Sequence, residues 1–223
     1  MMQPRGIILD IDGTLVDSND AHARAWAEAL AEHHVNVSFD QIRWLIGMGG
    51  DKLLPKVSGI APDSPKGQAI LQRRMQIFST RYLPSLHALP GANELLHHMH
   101  RMELRMAVAS SAKRAELDDL LKICGADDLI EHQTSSDDAD RSKPDPDIVQ
   151  AALQKLRLDH AVVVMLGDTP YDIESAGRAG VPLIALRCGG WKDADLAGAI
   201  AIYNDPADLL AHYDASPLRR GKS

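Results

Sequence analysis

Gly6-Ile7-Ile8-Leu9-Asp10-Ile11-Asp12-Gly13-Thr14 (GIILDIDGT) is the stretch on which the fold turns. A short apolar run of this kind, ending abruptly in acids, reads as a buried strand with a loop opening at its C-terminal end. The loop begins with two carboxylates one residue apart, and Gly13 lets it turn sharply.

Working outward, the pattern after Pro90-Gly91 alternates. Leu95, Leu96, Met99 and Met102 mark a helix, and Leu104–Ala109 is a strand. Leu117, Leu120 and Leu121 mark a second helix, stopped near Gly125. Asp145-Pro146 has the chemistry of a helix cap followed by a first helical position, opening a helix through Ile148, Val149, Ala152, Leu153 and Leu156. Ala161–Leu166 and Pro182–Leu186 are apolar strands, and Asp205-Pro206 starts a last helix. Strands alternating with helices imply an α/β fold, a Rossmann-like doubly wound parallel sheet with right-handed crossovers.

Between the first strand and this alternation lies a stretch with no convincing strand. His22, Trp26 and Leu30 recur one turn apart in an Ala-rich segment, and residues 40–47 and 66–82 also read as helical. The expected organisation is a core of residues 1–16 and 86–215, an inserted all-helical cap over 17–85, and a polar, frayed tail over 216–223. An insertion after the first strand would stand over the strands' C-terminal ends, where open α/β sheets bind ligands.

Composition narrows the function. The chain has 223 residues, 45% apolar and 25% charged, ordinary for a globular protein with a sizeable core. A formal net charge of −7 disfavours nucleic acid and anionic membranes as partners. A small phosphorylated metabolite would need a local positive site to overcome that field. Two cysteines without a CxxC pattern argue against a disulfide scaffold or structural zinc and for a reducing, cytoplasmic setting. Asp10 and Asp12 interrupt the N-terminal apolar run, so neither a signal peptide nor a membrane span is expected.

Chemistry gathers at strand ends. Asp10 and Asp12 close the first strand, Ser110 closes the strand ending at Ala109, and Asp168 closes the strand ending at Gly167. Lys143 lies in a loop (RSKPDPD). A parallel sheet brings these ends to one edge. Carboxylates so gathered raise each other's pKa unless something positive sits among them, and a hard divalent cation, Mg²⁺, is the economical answer. A carboxylate can then attack phosphorus, and the second Asp can protonate the leaving oxygen and later deprotonate water. Gly13 and Thr14 bring the loop near the phosphate. Ser110 and Lys143 would stabilise the transferring oxygens. Ser110 is preferred to Ser111, which would donate its backbone N–H.

DIDGT at 10–14, Ser110 after an apolar strand, Lys143 before a proline, and GDTPYD at 167–172 together resemble the four motifs of the haloacid dehalogenase-like hydrolase superfamily. The helical insertion is similar to the cap of the subfamily holding phosphoglycolate phosphatases and β-phosphoglucomutases. The resemblance implies Asp10 as nucleophile and Asp12 as acid/base. It implies magnesium on Asp10, the Asp12 carbonyl and Asp168, with Ser110 and Lys143 holding the phosphate. Asp172 would partner the lysine or the metal's waters, or simply cap the following helix.

Other features are weighed on the same terms. Gly47-Met48-Gly49-Gly50 lacks the third glycine of a dinucleotide loop (Lys52 stands there) and follows no strand. In the resembling family a glycine loop of the cap faces substrate, so Arg43 and Lys52 are candidates for substrate contact or else solvated charges. His22, Arg24 and Trp26 resemble a mutase-like cap segment or are a packed helix face. His97, His98 and His100 spread around a helix axis and read as exposed. Cys188-Gly189-Gly190-Trp191 is a loop that could line the crevice. The expected activity is a magnesium-dependent phosphatase acting through an aspartyl-phosphate, as monomer or homodimer. Asp12 argues against dehalogenation. A phosphosugar mutase is the rival, opposed by Gly167 where mutase-like members usually carry Glu. A non-catalytic phospho-ligand-binding module is the third reading.

Overall fold

The computed structural model describes residues 3–130 and 132–219. The chain divides into two compact units, Met1–Asp17 with His87–Ser223, and Ser18–Leu86.

The first unit is built around β1 (Gly6–Leu9), buried along its whole length. Five further strands join it: β2 (Arg105–Ala109), β3 (His132–Thr134), β4 (Val163–Gly167), β5 (Leu183–Leu186) and β6 (Ala201–Tyr203). They form one sheet in the order β3-β2-β1-β4-β5-β6, and every pairing is parallel. Leu9 is in register with Val108 on one side and Leu166 on the other. The direction of winding reverses at β1 and β4, so the C-terminal ends of these two strands open the crevice where such sheets bind ligands. Residues 10 and 168 are the first beyond those ends. Burial of Ile7, Ile8 and Leu9 on both faces contributes about 1.5–3 kcal/mol per side chain, which fixes the strand carrying Asp10.

The second unit is helical: α1 (Asn19–Glu32), α2 (Phe39–Arg43), α3 (Gly50–Ser58) and α4 (Pro65–Ile77). Among its described residues there is no strand, only an isolated Ile46–Met48 bridge. Ser38 and Gln41 cap α2 reciprocally. Helix α2 is shorter than the expected 40–47, and Gly47 at φ 107° lies outside helical space. Helix α4 passes into a wider π turn over Phe78–Tyr82.

Around the sheet lie α5 (Ala92–Arg101), α6 (Arg114–Cys124), α7 (Asp147–Leu156), α8 (Pro170–Arg178) and α9 (Pro206–Ala211). Ile148, Val149, Ala152 and Leu156 of α7 pack with Ile8, Ala107 and Met165 of the sheet. The expected cap at Asp145 is not formed. Helix α7 begins at Asp147 with Pro146 in the cap position, and the Asp145 carboxylate instead accepts from Arg178 Nη1 at 3.2 Å.

Two strands escaped the sequence reading, β3 and β6, both three residues long at the sheet's edges. The expected frayed tail is also corrected. Leu218 is fully buried and Ser216 donates to the Tyr213 carbonyl at 2.7 Å, while 220–223 lie outside the described residues. His98 is half-buried, with its ring edge-on to Tyr213 at 4.3 Å, rather than exposed. Among the described residues no helix is long and apolar enough to cross a membrane.

Candidate active site

Asp10 extends the β1 ladder by one bond, its N–H donating to the Leu166 carbonyl at 2.9 Å. The chain then folds back on itself. The Ile11 carbonyl accepts from Thr14, Leu15 and Val16 N–H at 3.2, 2.9 and 3.0 Å, and Gly13 N–H donates to Val16 O at 2.8 Å. Gly13 makes this possible at φ 77°, where a side chain would be strained. The N–H groups of Gly13 and Thr14 are thus bonded within the loop.

The tight turn returns Thr14 to the acids. Its Oγ1 lies 3.1 Å from Asp10 Oδ2 and 2.9 Å from Asp168 Oδ1. A hydroxyl has one hydrogen, so it satisfies one carboxylate at a time. Thr14, expected as a phosphate contact, is here a bridge between two acids.

Lys143 is almost wholly buried, with 1% of its side chain exposed. Its Nζ donates to Asp10 Oδ1 and lies 2.7 Å from Asp172 Oδ1. The second contact is an ion pair without hydrogen-bond alignment at that oxygen. Burial would depress the lysine's pKa, but the charges of Asp10 and Asp172 outweigh it and hold the ammonium above its usual range. Asp172 divides its carboxylate between two tasks. Oδ2 accepts from Thr169 Oγ1 at 2.6 Å and Thr169 N–H at 3.1 Å, forming the capping box of α8, while Oδ1 faces the lysine. Both readings of Asp172 thus meet in one side chain.

Asp10, Asp168 and Asp172 offer oxygens that all lie within 4.8 Å of one another. One lysine does not neutralise three carboxylates. The Asp10 carboxyl is accordingly pushed well above the usual range, by burial first and then by Asp172, Asp168 and Asp12, against the pull of Lys143. Buried, charge-deficient and lined by carboxylate oxygens, this donor set fits a hard divalent cation.

Ser110 is fully buried at the end of β2, with its N–H on the Thr134 carbonyl at 3.0 Å and its Oγ accepting from Ala112 N–H at 3.1 Å. Ser111 and Asp12 are half-buried. Within the helical unit His22 is buried, stacked on Phe78 at 4.0 Å, and hydrogen-bonded to Arg74. Arg43 donates to Asp20 at 2.7 Å and stands over the Trp44 ring, and Lys52 is half-buried. Glycine Gly50 packs where a Cβ would lie 3.2 Å from the Trp26 ring.

Two residues of the GDTPYD motif support Asp172 in ways the sequence reading did not assign. Thr169 anchors Asp172, and the pattern Thr-x-x-Asp at 169–172 is the signal that announces it. Gly167 makes room for Asp172, since a Cβ there would lie 2.8 Å from the Asp172 Cβ and Cγ. Only the fold reveals that contact.

The family model for haloacid dehalogenase-like hydrolases matches residues 7–186. A phosphoglycolate phosphatase of Cereibacter sphaeroides is 32% identical over 93% of this chain and 98% of its own length. One from Rhodospirillum rubrum is 28% identical over 92% and 89%. A hydrolase from Pseudomonas syringae, known by crystal structure, is 32% identical with a TM-score of 0.88, covering 94% of this chain and 98% of that one.

Proposed function

Because this chain belongs to the haloacid dehalogenase-like hydrolases and is a phosphoric monoester hydrolase, we propose that it frees phosphate from a small phosphorylated metabolite through a phosphoryl group carried on Asp10. The substrate class is 2-phosphoglycolate or a sugar phosphate. The full-length similarity to phosphoglycolate phosphatases supports the first.

In the first step an Asp10 oxygen attacks phosphorus as the bond to the leaving oxygen breaks, and Asp12, entering as the acid, protonates that oxygen. In the second, Asp12, now a carboxylate, takes a proton from water. The water oxygen attacks phosphorus, and Asp10 departs as a carboxylate. Lys143 and Ser110 hold the non-bridging oxygens where charge accumulates. Asp10, Asp168 and the Asp12 carbonyl would hold Mg²⁺, which when bound supplies positive charge to the carboxylates and the phosphate. Thr14 keeps Asp10 and Asp168 at a fixed separation, and Asp172 keeps Lys143 in place.

The observation that carries this reading is the burial of Asp10 against the Lys143 ammonium, with Asp168 and Asp172 in the same small volume. Gly167 favours hydrolase over mutase, since a glutamate side chain there would meet Asp172. A panel of phosphate esters with magnesium tests it, including 2-phosphoglycolate and β-glucose 1-phosphate with its bisphosphate activator. Phosphate release is expected. Isomerisation to glucose 6-phosphate without release would refute the hydrolase reading.

A further inference from the structure

The loop after β5, Arg187-Cys188-Gly189-Gly190, has no part in the chemistry above, yet it touches two of its elements. Cys188 Sγ donates to the carbonyl of Gly13 in the Asp10 loop at 3.2 Å. Gly189 is buried and pressed on Asp168. A Cβ on Gly189 would overlap Asp168 Oδ2 and lie 2.7 Å from the Asp168 Cβ and Cγ.

Rotation of the Asp168 side chain does not relieve that collision. The Asp168 Cβ is fixed by its backbone, the residue is fully buried, and its other oxygen is held by Thr14. Gly189 is not among the glycines at positive φ, so alanine would be unstrained in its own backbone. What demands glycine is the neighbouring carboxylate. We propose that Gly189 is a positioning residue for Asp168, the wall against which its carboxylate is set toward the cation. This rests on the reading of Asp168 as a metal ligand.

Groups that orient a metal ligand typically alter affinity about 10–100-fold when changed. Magnesium titrations of the full chain by calorimetry test the inference on wild type, Gly189→Ala and Gly177→Ala. The last adds a methyl in α8 that meets nothing within 4 Å. Gly189→Ala is expected to weaken Mg²⁺ binding about tenfold or more, with Gly177→Ala matching wild type. Wild-type affinity in Gly189→Ala would overturn this inference alone. A wild type that takes up no magnesium would overturn the metal reading and this inference with it.

Thermal unfolding without metal keeps the steric claim testable if Gly189→Ala folds poorly. In an Asp168→Gly background, which lacks the Cβ and carboxylate, Gly189→Ala should lower Tm far less than it does alone. An equal loss in both backgrounds would overturn the inference.

Discussion

Lys143 Nζ and Asp172 Oδ1 stand 2.7 Å apart with each side chain only 1% exposed. An ammonium so deep is tolerable because carboxylates face it, since isolated burial costs several kcal/mol per ion. The lysine is thus a structural counter-charge to both acids. Lys143→Met leaves two buried carboxylates without their partner. It is expected to abolish turnover and to cost about 3–5 kcal/mol of stability in denaturant unfolding. Wild-type stability in this variant would contradict the pairing.

Thr14 ties Asp10 to Asp168 through one hydroxyl. Thr14→Val keeps the shape and deletes the bridge, so kcat with saturating magnesium is expected to fall, and Thr14→Ser is expected to recover most of it. Steady-state kinetics on the three proteins decide this. A valine variant as fast as wild type would remove Thr14 from the site.

The pH dependence follows from Asp10. Burial and the neighbouring acids raise its folded pKa above the unfolded value. Such a carboxyl contributes stability that is present in acid, below about pH 4, and lost as pH rises through the raised value. Without metal, Asp10→Asn is therefore expected to unfold at a higher temperature than wild type at neutral pH, with the gap closing in acid. Unfolding curves in chelator across pH check it. An asparagine variant that is less stable at neutral pH would contradict the sign.

In the proposed mechanism Asp12 protonates the leaving oxygen, so the effect of its removal should depend on what leaves. Asp12→Asn is expected to slow alkyl phosphate turnover about 10²–10⁴-fold. A nitrophenyl ester, whose leaving group needs no proton, should lose less in the phosphorylation step. Rapid-mixing kinetics resolve that step, and equal losses on both esters would deny Asp12 the acid's role.

Much of this architecture was legible because burial leaves a strong mark. The runs at β1 and β4 are apolar on both faces and end in acids, so strand and site residue announce each other. The edge strands β3 and β6 carry no such mark. His132-Gln133-Thr134 and Ala201-Ile202-Tyr203 are brief, and only the pairing of Thr134 with Ala109 and of Tyr203 with Leu186 makes them strands. Over 216–219 the reading of a frayed tail misled, because Leu218, one apolar residue among polar ones, is fully buried. At the site, residue types and order pointed to Asp10, Asp168 and Lys143. How Thr14 spends its hydroxyl, and why Gly167 and Gly189 lack side chains, depend on distances between segments far apart in sequence.

The most direct test of the central claim is chemical trapping of Asp10. The protein is mixed with magnesium and an ester it turns over, quenched in acid within the first turnover, digested, and weighed by mass spectrometry. The peptide carrying Asp10 is expected to gain the mass of one phosphoryl group, and borohydride should convert that residue to homoserine. Turnover at full rate with Asp10 unmodified at every quench time, or the phosphoryl group on another side chain, would contradict the account.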